Sequence, residues 1–110
     1  MPRLAHAIDN EPNVYARYAI WLYLLTGARK SELLSARWSD IDWDRRELYL
    51  PDPKSGRPHY IPLSKPAMTV LRQVPRVEGN PYIFVGRKEG QALVNISKPW
   101  TRVRKAAGAV

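Results

Sequence analysis

The chain has 110 residues, with 18 Lys and Arg against 10 Asp and Glu, so its formal net charge is +8. This length predicts one domain with a modest core that needs no disulfide or metal to fold. Because 45% of the residues are apolar and 25% are charged, the composition is that of a globular protein, neither disordered nor membrane-spanning. The longest apolar run, residues 19–25, is too short to cross a bilayer.

The sequence contains no cysteine, which excludes disulfides, thiolate catalysis and sulfur-ligated metal sites. The two histidines, His6 and His59, are far apart and lack the spacing of a metal motif, so we expect no metal. The first residues lack the pattern of a secretory signal. Together with the basic charge, this favours a cytoplasmic protein with a polyanionic partner.

The first predicted elements are two helices. Apolar residues recur at helical spacing over residues 12–26, which predicts a buried amphipathic helix with Pro12 in its first turn. Gly27 ends this helix, because glycine readily adopts the left-handed conformation that closes one. A second, shorter helix follows at once, with Leu33, Leu34 and Trp38 facing the core.

A small sheet and further helices are predicted after these. The apolar segments 41–43, 48–50 and 60–63 are separated by turns, which predicts a three-stranded antiparallel meander. A helix then runs from residue 64 or 65 to about 74, a short apolar segment covers 82–85, and a last helix covers 96–107. The fold class is therefore α+β, mainly helical with one small sheet.

Arg29 and Lys30 break a rule of helix stability. They lie in the expected first turn of the second helix, where cations oppose the helix dipole. A bound phosphate would compensate, since it takes both the cationic side chains and the free N–H groups of a helix start. Glu32, three residues after Arg29, is on the same face and is suited to orient the guanidinium. The alternative is a solvated helix end with a surface ion pair.

Lys54 and Arg57 lie in the predicted turn between the second and third strands. A lysine on such a turn can deliver a proton or clamp a phosphate. The alternative is that the Lys54 side chain is exposed to solvent and has no functional role. The surrounding KSGR sequence is not a Walker A loop, because the upstream glycine is missing and no helix follows directly.

The last predicted helix is strongly basic. Lysines and arginines clustered on one helix are the usual electrostatic footprint of nucleic-acid binding. The alternative is a solvated outer helix face. The cations concerned are Lys98, Arg102, Arg104 and Lys105.

These residues occur in segments that resemble the tyrosine recombinase (phage integrase) family. The family's first signature box, TGxRxxEL followed by W and a DID-like turn, is similar to LLTGARKSELLSARWSDID, residues 24–42. The family's strand, lysine turn and VPLS-like strand end resemble LYLPDPKSGRPHYIPLS, residues 48–64. The helix before its second box resembles PWTRVRKAAG, residues 99–108. The resemblance covers almost the whole chain in the family's order.

The resemblance implies roles for individual residues. Arg29 matches the first catalytic arginine, which holds the scissile phosphate, and Lys54 matches the general acid for the departing 5′ hydroxyl. Glu32 matches an acidic residue that supports the site, while Lys30, Arg57 and the basic helix would grip the DNA backbone. Such enzymes recombine double-stranded DNA through a 3′-phosphotyrosyl intermediate, act as oligomers on the DNA, and use no metal or cofactor. Because the substrate is DNA, the resemblance implies that the protein is located in the cytoplasm at the nucleoid.

The resemblance also predicts an incomplete catalytic domain. In the family, the helix ending in AAG leads to an HxLRH-like box and a later tyrosine nucleophile, and a core-binding domain comes before the catalytic domain. Residues 1–110 contain neither the HxLRH-like box with its later tyrosine nor a core-binding domain. The expectation is a partial catalytic domain, inactive alone and prone to self-association through uncovered helices. The alternatives are a non-catalytic basic DNA-binding module and an RNA-binding domain.

Overall fold

A computed structural model describes residues 2–50, 59–86, 90–93 and 96–108. Three helices come first, then a three-stranded sheet entered by a short 3₁₀ turn, and then two more helices. In chain order these elements are α1 (Pro2–Asp9), α2 (Val14–Thr26), α3 (Lys30–Leu34), the 3₁₀ turn Trp38–Asp40, β1 (Ile41–Asp42), β2 (Glu47–Leu50), β3 (His59–Pro62), α4 (Lys65–Gln73) and α5 (Ser97–Ala106). The predicted α+β class is confirmed.

The helix α2 has a defined cap at each end. The Asn13 side chain accepts a hydrogen bond from the backbone N–H of Ala16, so the helix begins after Pro12 rather than with Pro12 in its first turn. At the other end Gly27 has a φ of 70°, and its N–H donates to the carbonyl of Tyr23 at 2.9 Å. The predicted glycine stop is therefore confirmed.

The helix α1 was not predicted from the sequence. Its eight residues mix apolar and polar types, and a helix of that length is marginal in water by itself. Ala7 and Ile8 are buried in the core, and α1 packs against α5 and α2. Tertiary packing therefore stabilises α1, which explains why local sequence signals did not reveal it.

The three strands form the predicted meander, antiparallel and in the order β1, β2, β3. Ile41 pairs with Leu48, and Tyr49 pairs with Tyr60. Trp43 lies in the β1–β2 turn rather than in β1, because the Asp42 carboxylate accepts hydrogen bonds from the backbone N–H groups of Asp44 and Arg45 and bends the chain there.

The core is one cluster of buried residues to which all five helices and the strands β1 and β2 contribute. The predicted core residues Leu33 and Leu34 are buried, whereas Trp38 is only half-buried. The helix α4 begins at a Ser64 cap and buries Ala67, Met68 and Leu71. The apolar segment 82–85 contributes Ile83 and Phe84, both fully buried, without joining the sheet.

Within the part of the chain that the structure describes, no helix has both the length and the apolar character needed to span a membrane.

Candidate nucleic-acid interface

Arg29 stands at the joint between α2 and α3. The joint is held by Gly27 and by Thr26, whose hydroxyl donates to the carbonyl of Leu22 and accepts from the N–H of Ala28. Arg29 is the N-cap of α3, with a φ of −66° and a ψ of 140°, rather than part of its first turn. Since α3 has only five residues, its dipole is small, and a phosphate bound here would depend on the Arg29 side chain.

The Arg29 side chain is exposed, and within the described residues it has no hydrogen bond or ion pair. Glu32 lies one turn further along α3 and is half-buried. The structure shows no ion pair between the two side chains in this part of the chain, so the supporting role of Glu32 stays a prediction. The guanidinium of Arg29 is thus available to an external anion.

Two further predicted residues lie outside the described residues, namely Lys54 and Arg57. The strands on either side of them are described, and the pair nearest to them is Leu50 with His59. Lys30 begins α3, and only its backbone is described.

The helix α5 presents its cations on two faces. Pro99 and Val103 are buried, and Trp100 packs edge-to-face on Tyr23 with ring centroids 6.4 Å apart. The spacing of four and three residues puts Lys98, Arg102 and Lys105 on one face. Arg104 lies elsewhere, 6.0 Å from the centroid of the Trp100 ring. The predicted basic helix is therefore present and exposes its charges to solvent.

Arg102 has a partner within the chain that the sequence did not indicate. Its Nε donates to Oε1 of Glu11 at 2.6 Å, and the Glu11 side chain is completely buried while that of Arg102 is about half exposed. This hydrogen bond raises the pKa of the Arg102 guanidinium. Arg102 thus fastens α5 to the α1–α2 connection, and its predicted role in binding DNA stays a prediction.

Glu11 also organises the start of α2. Its Oε2 accepts from the N–H of Asn13 at 2.7 Å, and its carbonyl accepts from Nε and Nη2 of Arg17. Sequence reasoning missed this residue, although an acidic residue directly before Pro12 and the Asn13 cap was a weak local signal. A buried carboxylate with a cationic partner positions three helices at one point.

The described residues contain no group of three or more His, Asp or Glu side chains arranged to hold a metal ion.

Comparison with known proteins gives consistent matches. A family model described as "Phage integrase family" matches residues 1–110. Prophage integrase IntZ of Escherichia coli (strain K12) is 33% identical over 90 residues, which cover 79% of this chain and 22% of that protein. The integrase of Enterobacteria phage P4 is 33% identical over 91 residues, which cover 70% of this chain and 21% of that protein.

A solved structure matches over nearly the whole fold. It is that of a lambda integrase (75–356) dimer bound to a COC′ core site. It is similar with a TM-score of 0.73 and 26% sequence identity, over 99% of this chain and 42% of that one. The chain spans about a fifth of the length of the two integrases above.

Proposed function

Since the chain belongs to the phage integrase family, we propose that it forms part of a tyrosine recombinase, a site-specific enzyme that breaks and rejoins double-stranded DNA. The observation that supports this most directly is Arg29, an exposed guanidinium at a fixed helix joint with no partner in the described part of the chain. The lambda integrase dimer on its core site supports duplex DNA as the partner and an oligomer as the active form.

In the proposed reaction Arg29 binds the scissile phosphate. Its planar, positively charged guanidinium donates paired N–H bonds to the two non-bridging oxygens. A tyrosine hydroxyl of the recombinase gives up its proton to a base and attacks the phosphorus, the bond from phosphorus to the 5′ oxygen breaks, and Lys54 gives a proton to that oxygen. The charge that accumulates on the phosphate oxygens is then balanced by the guanidinium.

Other cations are proposed to grip the DNA backbone away from the reacting phosphate. Lys98, Arg104 and Lys105 are exposed on α5, and Lys30 and Arg57 are assigned by the resemblance alone. Glu32 is proposed to orient Arg29 from its position one turn along α3. The proposed place of action is the cytoplasmic nucleoid, where duplex DNA is the substrate.

The replacement Arg29→Lys tests this proposal, because it keeps the charge and removes the two-pronged geometry. In a full-length recombinase that contains this segment, we expect cleavage of a suicide DNA substrate to fall about 10²- to 10³-fold. DNA affinity should change little. The matched control is Arg45→Lys, an exposed arginine of the β1–β2 turn, which should leave cleavage unchanged.

The proposal is wrong if Arg29→Lys and Lys54→Ala both leave cleavage intact while the folded structure, checked by circular dichroism, is retained. In that case these cations act only as phosphate contacts of a non-catalytic DNA-binding module.

A further inference from the structure

A cavity of about 430 Å³ opens at the end of the sheet where β1 turns into β2. Residues from the 3₁₀ turn, the β1–β2 turn, the end of α4 and the segment directly after α4 surround it. They are Trp38, Trp43, Leu71, Arg72, Val74 and Arg76. This volume lies within the range of about 300–1,000 Å³ that is typical of ligand sites.

The walls of the cavity combine aromatic rings with cations. The guanidinium of Arg76 lies 4.3 Å from the centroid of the Trp38 ring, and that of Arg72 lies 5.9 Å from the centroid of the Trp43 ring. Leu71 is fully buried beneath them. Since Leu71 has no exposed surface of its own, the apolar surface that the cavity offers is that of the two half-buried indole rings, each paired with a guanidinium.

The two arginines have no ion pair in the described part of the chain, although Glu78 is close to Arg76 in sequence and three aspartates are close to Trp38 and Trp43. Asp40 accepts the backbone N–H of Arg37, and Asp42 accepts two backbone N–H groups of its own turn. The Nε1 of Trp38 is also buried without a hydrogen-bond partner there. The polar side-chain groups of the lining residues are therefore all hydrogen-bond donors, two of them charged.

Donors of this kind select an anion. Guanidinium groups bind carboxylates with strong, charge-assisted hydrogen bonds, and half-buried indole rings favour contact with an apolar side chain. The volume suits one or two side chains. A DNA duplex presents phosphates on a convex backbone and keeps its bases stacked inside, so it would leave the indole rings uncovered.

The cavity is also separate from the strand end that leads to Lys54. Trp43 precedes β2, whereas Leu50 and its partner His59 form the pair at the opposite end of that strand. We propose that the cavity binds a short segment of a partner protein in which an acidic residue is next to an apolar one. This proposal is independent of the catalytic roles given to Arg29 and Lys54.

The test uses the chain's four tryptophans as reporters, because each indole N–H gives one signal in a ¹H–¹⁵N NMR spectrum. The probe is the peptide acetyl-Leu-Asp-Phe-Asp-amide, and its matched control replaces both Asp with Asn. We expect the acidic peptide at up to millimolar concentration to shift the Trp38 and Trp43 signals. The control peptide should not, and the signals of Trp21 and Trp100 should stay in place.

Variants separate binding from folding. The double replacement Arg72→Gln with Arg76→Gln should weaken peptide binding about tenfold or more, since each removes a charge-assisted hydrogen bond. Arg45→Gln, an exposed arginine outside the cavity, should leave binding unchanged. If the double variant unfolds, the comparison between the Asp and Asn peptides on the unaltered chain still decides the matter.

Two outcomes overturn the proposal. In the first, neither peptide, or both equally, shifts the Trp38 and Trp43 signals. In the second, a DNA duplex at the same ionic strength shifts these two signals and displaces the acidic peptide, which would make the cavity part of the DNA-binding surface.

Discussion

At the scale of single residues, Glu11 is the one charged residue that is buried in the described structure. Its carboxylate is fully buried and accepts from Asn13 on one oxygen and from Arg102 on the other. A buried acceptor that loses its donors costs far more than an exposed one, because no water replaces them. Glu11 therefore contributes to stability through contacts that a charge count does not reveal.

We predict that Glu11→Gln lowers the free energy of unfolding by about 1–3 kcal/mol, because an amide group would face the Asn13 N–H or the Arg102 guanidinium. The control Glu78→Gln, at an exposed position, should stay within about 0.5 kcal/mol. Urea unfolding followed by circular dichroism measures both. Equal stability of the two variants would show that the buried pair contributes nothing.

Tyr15 gives a prediction about alkaline pH. Its hydroxyl donates to the carbonyl of Pro75 at 3.0 Å, and partial burial raises its pKa. The folded state then holds the proton more tightly than an unfolded chain, in which tyrosine titrates near pH 10. The resulting stability is complete below about pH 10 and is lost as the pH rises through the raised pKa.

The measurement for Tyr15 is urea unfolding of the wild type and of Tyr15→Phe at pH 8 and pH 11. The advantage of the wild type should shrink at the higher pH, because phenylalanine has no proton to lose. An advantage that is constant across this range would contradict the assigned cause.

At the scale of elements, the joint between α2 and α3 determines where Arg29 is held. Gly27 makes the turn with a φ of 70°, and a Cβ added there would have open space around it. Gly86 presents the opposite case. Its φ needs no glycine, but an added Cβ would collide with the backbone carbonyl of Ala92. One glycine is thus required by conformation and the other by close approach.

We therefore expect Gly27→Ala to cost about 1 kcal/mol of stability, from the left-handed conformation alone. Gly86→Ala should cost more, about 1–3 kcal/mol, because backbone must move to admit the methyl group. Thermal or urea unfolding of both variants gives the ranking. If Gly27→Ala were the more damaging change, the conclusion that a Cβ at Gly27 meets open space would be wrong.

At the scale of the whole molecule, the cations behind the net charge of +8 differ in whether they have a partner within the fold. Arg102 is paired within the fold, whereas Lys98 and Lys105 on the same helix face remain exposed. The sequence alone treats all three as equal candidates for DNA contacts. The structure separates a cation that fastens α5 from two that are available to a polyanion.

We predict that duplex DNA binding weakens linearly with the logarithm of salt concentration. The double replacement Lys98→Gln with Lys105→Gln should reduce the magnitude of that slope by about 2, since each lost phosphate contact contributes about 0.9. The control, Lys65→Gln with Arg45→Gln, removes the same charge at other exposed positions. Equal effects of both pairs would mean that only the overall charge matters. Fluorescence anisotropy at several salt concentrations measures the slopes.

Much of the fold was predictable because its signals are local. Apolar spacing predicted α2, α4 and α5, alternation predicted the three strands, and Gly27 predicted the helix end. The motifs in these segments and their order also indicated the family, and the family model confirms it. Within the site, the sequence singled out Arg29 as a cation in the first turn of a helix, whereas the structure makes it the N-cap, and its catalytic role stays a proposal.

The tertiary structure decided what depends on residues far apart in the chain. It stabilised α1 by packing, buried Ile83 and Phe84 without a strand, and joined Glu11 to Arg102 across 91 positions. It also assembled the cavity of Trp38, Trp43, Arg72 and Arg76 from three separate segments. Helical and strand periodicity follow from neighbours a few residues away, so sequence determines them directly. Burial and long-range pairing arise only when segments pack, so they had to be seen in the fold.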